Sequence, residues 1–147
     1  MDIRRAAPED RRKAEALFEA RGLPVLHSGI ASSAVLVVPD GERIVGSAAI
    51  EVAARVGLSV WLAVEKDREG EGLGTSLLRS LLARAQELGL RKLFVITPGE
   101  AELFVAAGFS RVEEADLPRE IRSMRGYPAD VCGEGGTILG IQLETRV

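Results

Sequence analysis

The chain has 147 residues, 46% of them hydrophobic and 28% charged, with a net charge of −3 and an isoelectric point near 5.3. This length suits one domain with a proper core, and we expect a single domain over residues 1–147. The acidic balance gives no electrostatic reason to expect nucleic acid or an anionic membrane as partner. The only cysteine is Cys132, so no internal disulfide can form. Because no apolar run approaches membrane-spanning length, we expect a cytoplasmic protein.

The predicted elements of the first half are a strand, a helix and three more strands. A short strand at 3–6 precedes a helix that begins at Ala7-Pro8-Glu9-Asp10 and ends at Gly22. The segment 25–33 is irregular. Three strands follow, at 34–38, 43–52 and 55–64. Short turns join these strands, so we expect an antiparallel meander.

The second half mixes helices with strands. Apolar residues between Leu77 and Leu88 recur at helical spacing, and Gly89 ends that helix. The later elements are a strand at 92–96, a short helix at 99–107, a strand at 109–112, a helical stub at 116–122 and a final strand at 137–144. The pattern predicts one mixed α/β domain.

A glycine-rich loop joins the strand that ends at Val64 to the helix after it. Its residues are Glu69-Gly70-Glu71-Gly72-Leu73-Gly74-Thr75. Glycines can turn successive N–H groups inward, and the first amides of a helix have no intrahelical partner. Together with the helix dipole, this arrangement predicts a phosphate or pyrophosphate site. We expect the side chains of Glu65, Glu69 and Glu71 to point to water, because they would repel such an anion.

Two common phosphate loops do not fit these residues. A P-loop requires a lysine after its last glycine, whereas Thr75 and Ser76 follow Gly74. A Rossmann fingerprint requires Gly-x-Gly-x-x-Gly and an acidic residue at the end of the next strand. Here the glycines alternate, and the next strand ends in Thr97-Pro98.

The strand, loop and helix resemble the Gcn5-related N-acetyltransferase (GNAT) superfamily. Leu62-Ala63-Val64 matches the Leu-x-Val strand end of the family motif, Gly72-Leu73-Gly74 matches the end of its loop, and Gly108-Phe109 is a second family mark. Glu69 stands where the family usually has Arg or Gln. The resemblance covers nearly the whole chain. It implies a mixed α/β fold whose twisted, mostly antiparallel sheet is splayed between its fourth and fifth strands, with helices on both faces.

The resemblance also implies a function, an acetyl-CoA-dependent N-acetyltransferase in which an amine attacks the thioester directly. Acetyl-CoA would be the cosubstrate, without a metal, and a small-molecule amine or amino acid would be the acceptor. The implied cofactor-binding residues are Leu62, Ala63, Val64, Glu69, Gly70, Glu71, Gly72, Leu73, Gly74 and Thr75. A homodimer is common in the family, although nothing in this sequence calls for one.

The residues that would transfer protons are less clearly marked. Many family members have a tyrosine four residues before the Gly-Phe pair, where this chain has Phe104. Tyr127, the only tyrosine, is an alternative donor in a predicted loop. For a general base we select Glu51, near the end of a central strand, against its reading as a solvated carboxylate. His27 is either an exposed loop histidine or a residue of the acceptor wall that touches substrate or carries a proton. Trp61 is either a core anchor or part of that wall.

A narrower resemblance concerns three segments in the second half, namely Leu93-Phe94-Val95-Ile96-Thr97, Glu102-Leu103-Phe104 before Gly108-Phe109, and Asp116-Leu117-Pro118. They look like the acetyltransferase domain of N-acetylglutamate synthases, and equally like small acetyltransferases of arsenic-resistance operons. Those families also have Phe in place of the tyrosine. Val60 stands where the arsenic-operon group tends to have an arginine. Two other functions stay open: a catalytically idle acyl-CoA-binding or sensor module, and a protein N-terminal or lysine acetyltransferase.

Overall fold

Seven strands make up the sheet in a computed structural model, which describes residues 2–99, 101–130 and 135–144. The strands are β1 Arg4–Arg5, β2 Val35–Asp40, β3 Arg43–Ala53, β4 Val56–Val64, β5 Lys92–Thr97, β6 Ser110–Arg111 and β7 Thr137–Gln142. Their spatial order is β1-β2-β3-β4-β5-β7-β6. Neighbours are antiparallel except β4 and β5, which are parallel. Cys132 lies outside the described residues.

Helices cover both faces of this sheet. Those wholly within the described residues are α1 Arg11–Ala20, α2 Leu73–Glu87, α3 Glu102–Ala106 and α4 Arg119–Arg122. Apolar side chains of α1 and α4 share one core with Trp61, whereas those of α2 and α3 share a second core with Leu93. We call these the α1 face and the α2 face. Among the described helices, none combines the length and apolar character needed to cross a bilayer.

The parallel pairing of β4 with β5 stops part-way along both strands. It joins residues 56–59 of β4 to residues 92–95 of β5. Beyond that point β4 continues to Val64 and β5 to Thr97. The two strands therefore separate and leave a gap in the sheet. The predicted mixed α/β fold, with a mostly antiparallel sheet splayed between its fourth and fifth strands, is confirmed.

A bulge in β4 lies where the gap begins. Between the pairs Ala49–Trp61 and Glu51–Leu58, β4 contains one residue more than β3. An extra residue of this kind shifts the side chains beyond it to the other face of a sheet. Leu58 and Trp61 therefore both lie in the core of the α1 face, although strict alternation would separate them. The bulge is thus what turns the indole toward that core.

Asp10 ties the start of α1 to β1. Its carboxylate accepts hydrogen bonds from the Arg4 guanidinium at 2.6 Å and from the Ala7 N–H at 2.8 Å. The bond from Arg4 lowers the pKa of Asp10. A lowered folded-state pKa means that this carboxylate stabilises the fold at a pH above its unfolded pKa of about 3.9. That contribution is lost as the pH falls through the lower folded-state value.

We expect Asp10→Asn to reduce the free energy of unfolding at pH 7 and to reduce it much less at pH 2. At the lower pH the unfolded chain is protonated at this position, which offsets the advantage of the charged carboxylate in the folded state. Urea unfolding at both pH values measures the difference. Equal losses at the two pH values would show that the charge of Asp10 does not stabilise the fold.

Candidate functional site

The gap between β4 and β5 opens into a cleft of about 210 Å³. Its lining consists of Leu23, Ser59, Val60, Leu62, Val95, Ile96, Thr97, Pro98, Leu103 and Phe104, all uncharged. Val60 and Ile96 belong to the core of the α1 face, whereas Leu62 and Val95 pack in that of the α2 face. The cleft therefore passes between the two faces of the sheet. A larger hollow of about 600 Å³, between α1 and the end of β4, has a different lining.

The main chain of β4 presents polar groups to the gap. The Glu65 N–H donates to the Val45 carbonyl, on the β3 side, at 2.9 Å. Because backbone groups along a strand alternate between its two sides, those of Val64 and Leu62 point to the gap. The pairing of β5 does not extend to these residues, so an extended ligand can bind there like an added strand. By the same alternation, the backbone groups of Ala63 point to β3.

The glycine loop brings the start of α2 close to the cleft. Gly70 and Gly72 have φ values of 89° and 81°, a left-handed conformation that only glycine adopts at little cost. The first backbone hydrogen bond of α2 runs from the Ser76 N–H to the Gly72 carbonyl at 3.1 Å. The N–H groups of residues 73–75 precede that bond, at the place where helices bind anions. Leu103, in the cleft lining, lies 3.6 Å from where a Cβ on Gly74 would stand.

Three of the carboxylates around this loop are each paired with an arginine. The pairs are Glu65 with Arg43, Glu69 with Arg21, and Glu71 with Arg68, the last at 3.6 Å. The prediction that these acids point to water holds only in part: the side chains of Glu69 and Glu71 are about half exposed, but that of Glu65 is 20% exposed. Pairing offsets charge that would otherwise repel a phosphate.

On the α1 face, Glu51 is buried, with 8% of its surface exposed. Its Oε1 accepts the Gly126 N–H at 2.8 Å and lies 2.8 Å from His27 Nε2. Its Oε2 accepts the Arg125 N–H at 3.1 Å. The alternative of a solvated strand carboxylate is therefore wrong. One carboxylate instead joins β3 to two segments that are distant in sequence.

His27 and Trp61 complete this group of side chains. His27 Nδ1 accepts the Gly29 N–H at 3.0 Å, so in the neutral ring Nε2 carries the proton and donates it to Glu51. The His27 side chain is 10% exposed. Its ring packs edge-on against that of Trp61, with 6.2 Å between the ring centroids. The alternative of an exposed loop histidine is therefore wrong. Trp61 is fully buried, as the core alternative predicts, and its indole N–H donates to the Pro24 carbonyl at 2.8 Å.

Two hydroxyl groups in the cleft lining escaped the sequence reasoning. Ser59 lies at the bulge, and Thr97, whose Oγ1 accepts the Gly99 N–H at 3.3 Å, ends β5. Ser59 ends the part of β4 that pairs with β5, and Thr97 ends β5 itself. These positions acquire meaning only once the strands separate. Phe104 lines the cleft without a hydroxyl. Tyr127, distant in sequence, packs against the core of the α1 face.

Comparison with known families identifies this architecture. The model of the acetyltransferase (GNAT) domain matches residues 31–111, more than half of the chain. The chain therefore belongs to the GNAT acetyltransferase family, whose members are acyltransferase enzymes. Among the described residues, no group of three or more His, Cys, Asp or Glu side chains is placed to hold a metal ion.

Amino-acid acetyltransferases are among its relatives. That of Ralstonia nicotianae is 36% identical over 72 residues, which are 49% of this chain and 16% of the relative. The chain thus matches about a sixth of that protein's length.

Two solved structures share the fold: N-acetylglutamate synthase from Neisseria gonorrhoeae with CoA and N-acetylglutamate, and Rv2747 from Mycobacterium tuberculosis with CoA. The first has a TM-score of 0.78 at 25% identity over 97% of this chain and 35% of that chain.

Rv2747 has a TM-score of 0.77 at 22% identity, with 98% of this chain and all of that chain covered. The GNAT resemblance and its N-acetylglutamate-synthase-like branch are confirmed by these comparisons. The likeness to arsenic-operon acetyltransferases stays a prediction.

Proposed function

We propose that this chain is an acetyl-CoA-dependent N-acetyltransferase that acts on the amine of a small molecule or amino acid. The observation that carries the proposal is the cleft through the sheet. Leu103, in its lining, lies 3.6 Å from where a Cβ on Gly74 would stand, near the start of α2. Leu23, also in its lining, precedes Pro24, whose carbonyl accepts the indole N–H of Trp61 on the α1 face. A cosubstrate with phosphates at one end and a thioester at the other can therefore meet an acceptor that enters from the opposite face.

In this proposal, acetyl-CoA lies along the residues that the sequence selected. Its diphosphate is bound by main-chain N–H groups between Glu69 and Thr75, so the acidic side chains there need not touch it. Its pantetheine arm pairs with the backbone of Leu62 and Val64. Between them, Ala63 pairs with β3 and keeps this end of β4 in the sheet. The uncharged lining of the cleft suits the arm. Glycine at position 74 leaves room for close approach of a phosphate.

The reaction is a direct transfer. The amine nitrogen attacks the carbonyl carbon of the thioester, the new C–N bond forms, and the C–S bond breaks to release CoA as a thiolate. The nitrogen loses a proton and the thiolate gains one. A β4 N–H that faces the gap is placed to stabilise the oxyanion of the intermediate. Phe104 has no proton to give, and the role of Tyr127 as donor stays a prediction.

The α1 face supports a small acceptor better than a protein substrate. The segment with His27 and the segment with Gly126 are bound to the same buried carboxylate. These two segments therefore close over β3, whereas a groove for an extended peptide would need them apart. The names of the sequence relatives, amino-acid acetyltransferases, agree with a small acceptor.

Thiol release from acetyl-CoA tests this function. We expect release with at least one member of a panel of free amino acids and small amines, and none with peptides that offer only a lysine or an N-terminus. Release with a peptide but with no free amino acid or small amine would overturn the proposal of a small acceptor. Binding of acetyl-CoA without release from any acceptor would favour the idle sensor module.

A further inference from the structure

We propose that Glu51 and His27 are positioning residues, which hold together the two walls of the acceptor pocket, and that Glu51 is not the general base. This inference rests on the proposed function, because it places the acceptor on the α1 face. It differs from the role that the sequence suggests for Glu51. The contacts of the carboxylate, of the imidazole and of Gly126 each support it separately.

The carboxylate of Glu51 is already engaged on both oxygens. Oε1 has two partners, the Gly126 N–H and His27 Nε2, and Oε2 has the Arg125 N–H. Two of these three partners are backbone amides, which cannot move away as a side chain can. A general base must offer an oxygen to the ammonium group of the acceptor. With one tenth of its side-chain surface exposed, Glu51 has little opportunity to do so.

The imidazole of His27 is engaged in the same way. Its Nδ1 accepts the Gly29 N–H and its Nε2 faces Glu51, so neither ring nitrogen can take a proton from a substrate without losing a bond. The Arg11 guanidinium, from α1, also donates to the carbonyls of His27 and Ile30. The loop around His27 is thereby held from two directions. Such bonding suits a residue that fixes a wall.

Gly126 allows the backbone after α4 to approach Glu51 closely. A Cβ at this position would lie 2.5 Å from Glu51 Oε1 and 2.5 Å from Trp61 Cη2, distances that real Cβ atoms do not show. Only glycine lets the backbone after α4 come this close to both side chains. The segment after α4 therefore packs closely against both Glu51 and Trp61.

These contacts lead directly to the cleft. Leu23 lines it, and the next residue, Pro24, accepts the indole N–H of Trp61. The wall that begins at Leu23 is thus held by two contacts, that of Pro24 with Trp61 and that of His27 with Glu51. Loss of the Glu51 carboxylate would loosen this wall and the one after α4 at once. The start of α2 packs in the core of the other face, so we expect its binding of the phosphates to be unaffected.

The test compares Glu51→Gln and His27→Ala with Asp10→Asn. Asp10 is a suitable control because it is another buried carboxylate that accepts a backbone N–H, but at the start of α1. The acceptors are the common free amino acids, each tested for thiol release. For the best of them we expect Glu51→Gln to raise KM about tenfold or more, because both walls of the acceptor pocket lose their hydrogen bonds to a charged group. We expect kcat, its pH profile and the Kd of acetyl-CoA to stay near wild type.

A fall in kcat of about 10²-fold or more in Glu51→Gln, with one limb of its pH profile lost, would show a general base and overturn the inference. His27→Ala changes only a loop side chain, so it provides the same KM-against-kcat comparison if Glu51→Gln fails to fold. We expect its KM to rise as well, with kcat retained.

A second readout does not depend on activity. His27 and Trp61 are the only histidine and the only tryptophan, so their ring N–H signals in an NMR spectrum are easily assigned. We expect Glu51→Gln to shift both signals and speed their exchange with water, and Asp10→Asn to leave them in place. Unchanged signals in Glu51→Gln would overturn the inference. If the wild type fails to bind acetyl-CoA, the proposed function fails, whereas this readout still shows whether Glu51 holds the His27 and Trp61 rings in place.

Discussion

Trp61→Ala is expected to lower the free energy of unfolding by about 3–5 kcal/mol. Trp61 is fully buried and is among the largest side chains in the core, so its removal leaves a cavity that the sheet cannot close. The substitution also leaves the Pro24 carbonyl without the indole N–H that it accepts at 2.8 Å. Urea unfolding followed by circular dichroism measures the loss. Because the bulge directs this side chain inward, position 61 should tolerate only large apolar residues.

Trp61→Phe separates packing from hydrogen bonding at this position. It retains most of the ring and loses the bond to Pro24, so we expect a loss of about 1–2 kcal/mol. If Trp61→Ala cost less than about 1 kcal/mol, the indole would not be the anchor of the α1 face. The positioning of Leu23 and the wall behind it would then need another explanation.

Gly72→Ala is expected to raise the Kd for acetyl-CoA about 10- to 100-fold. Its φ of 81° is strained for alanine, so the loop must relax and turn at least one N–H away from the phosphates. The loss of one hydrogen bond to a charged group, worth about 1.5–3 kcal/mol, gives this range. Isothermal titration calorimetry measures the change.

Gly89→Ala is the matched control. Gly89 follows the other end of α2, has a φ of 76° and, like Gly72, has no atom within 4 Å of the place of a Cβ. Both substitutions should therefore reduce stability by a similar amount, about 1–2 kcal/mol. Only Gly72→Ala should weaken the binding of acetyl-CoA. Equal Kd values for the two variants would show that the loop does not hold the phosphates.

The sequence predicts the glycine loop well because its signal is local. Left-handed glycines at 70 and 72, an apolar strand before them and an amphipathic helix after them are all encoded within one short stretch. The splayed sheet follows from the family that this stretch resembles. Periodicity alone shows the strands but not where β4 and β5 cease to pair.

The contacts of the acceptor face could not be predicted in the same way. Glu51 is recognisable as a carboxylate on a central strand, but its partners are Gly126 and His27, which lie 75 and 24 residues away. The bulge in β4 depends on how two strands pair and has no mark in the sequence of β4 itself. Two of the three arginines that pair with these carboxylates come likewise from other elements, Arg21 after α1 and Arg43 in β3.

Calorimetric titration of the wild-type chain with acetyl-CoA, beside CoA and NAD, tests the central claim most directly. We expect both forms of CoA to bind with saturation in the micromolar range, as is usual for enzyme substrates, and NAD not to bind. If neither acetyl-CoA nor CoA binds, the assignments of the cleft and of the phosphate loop are both contradicted.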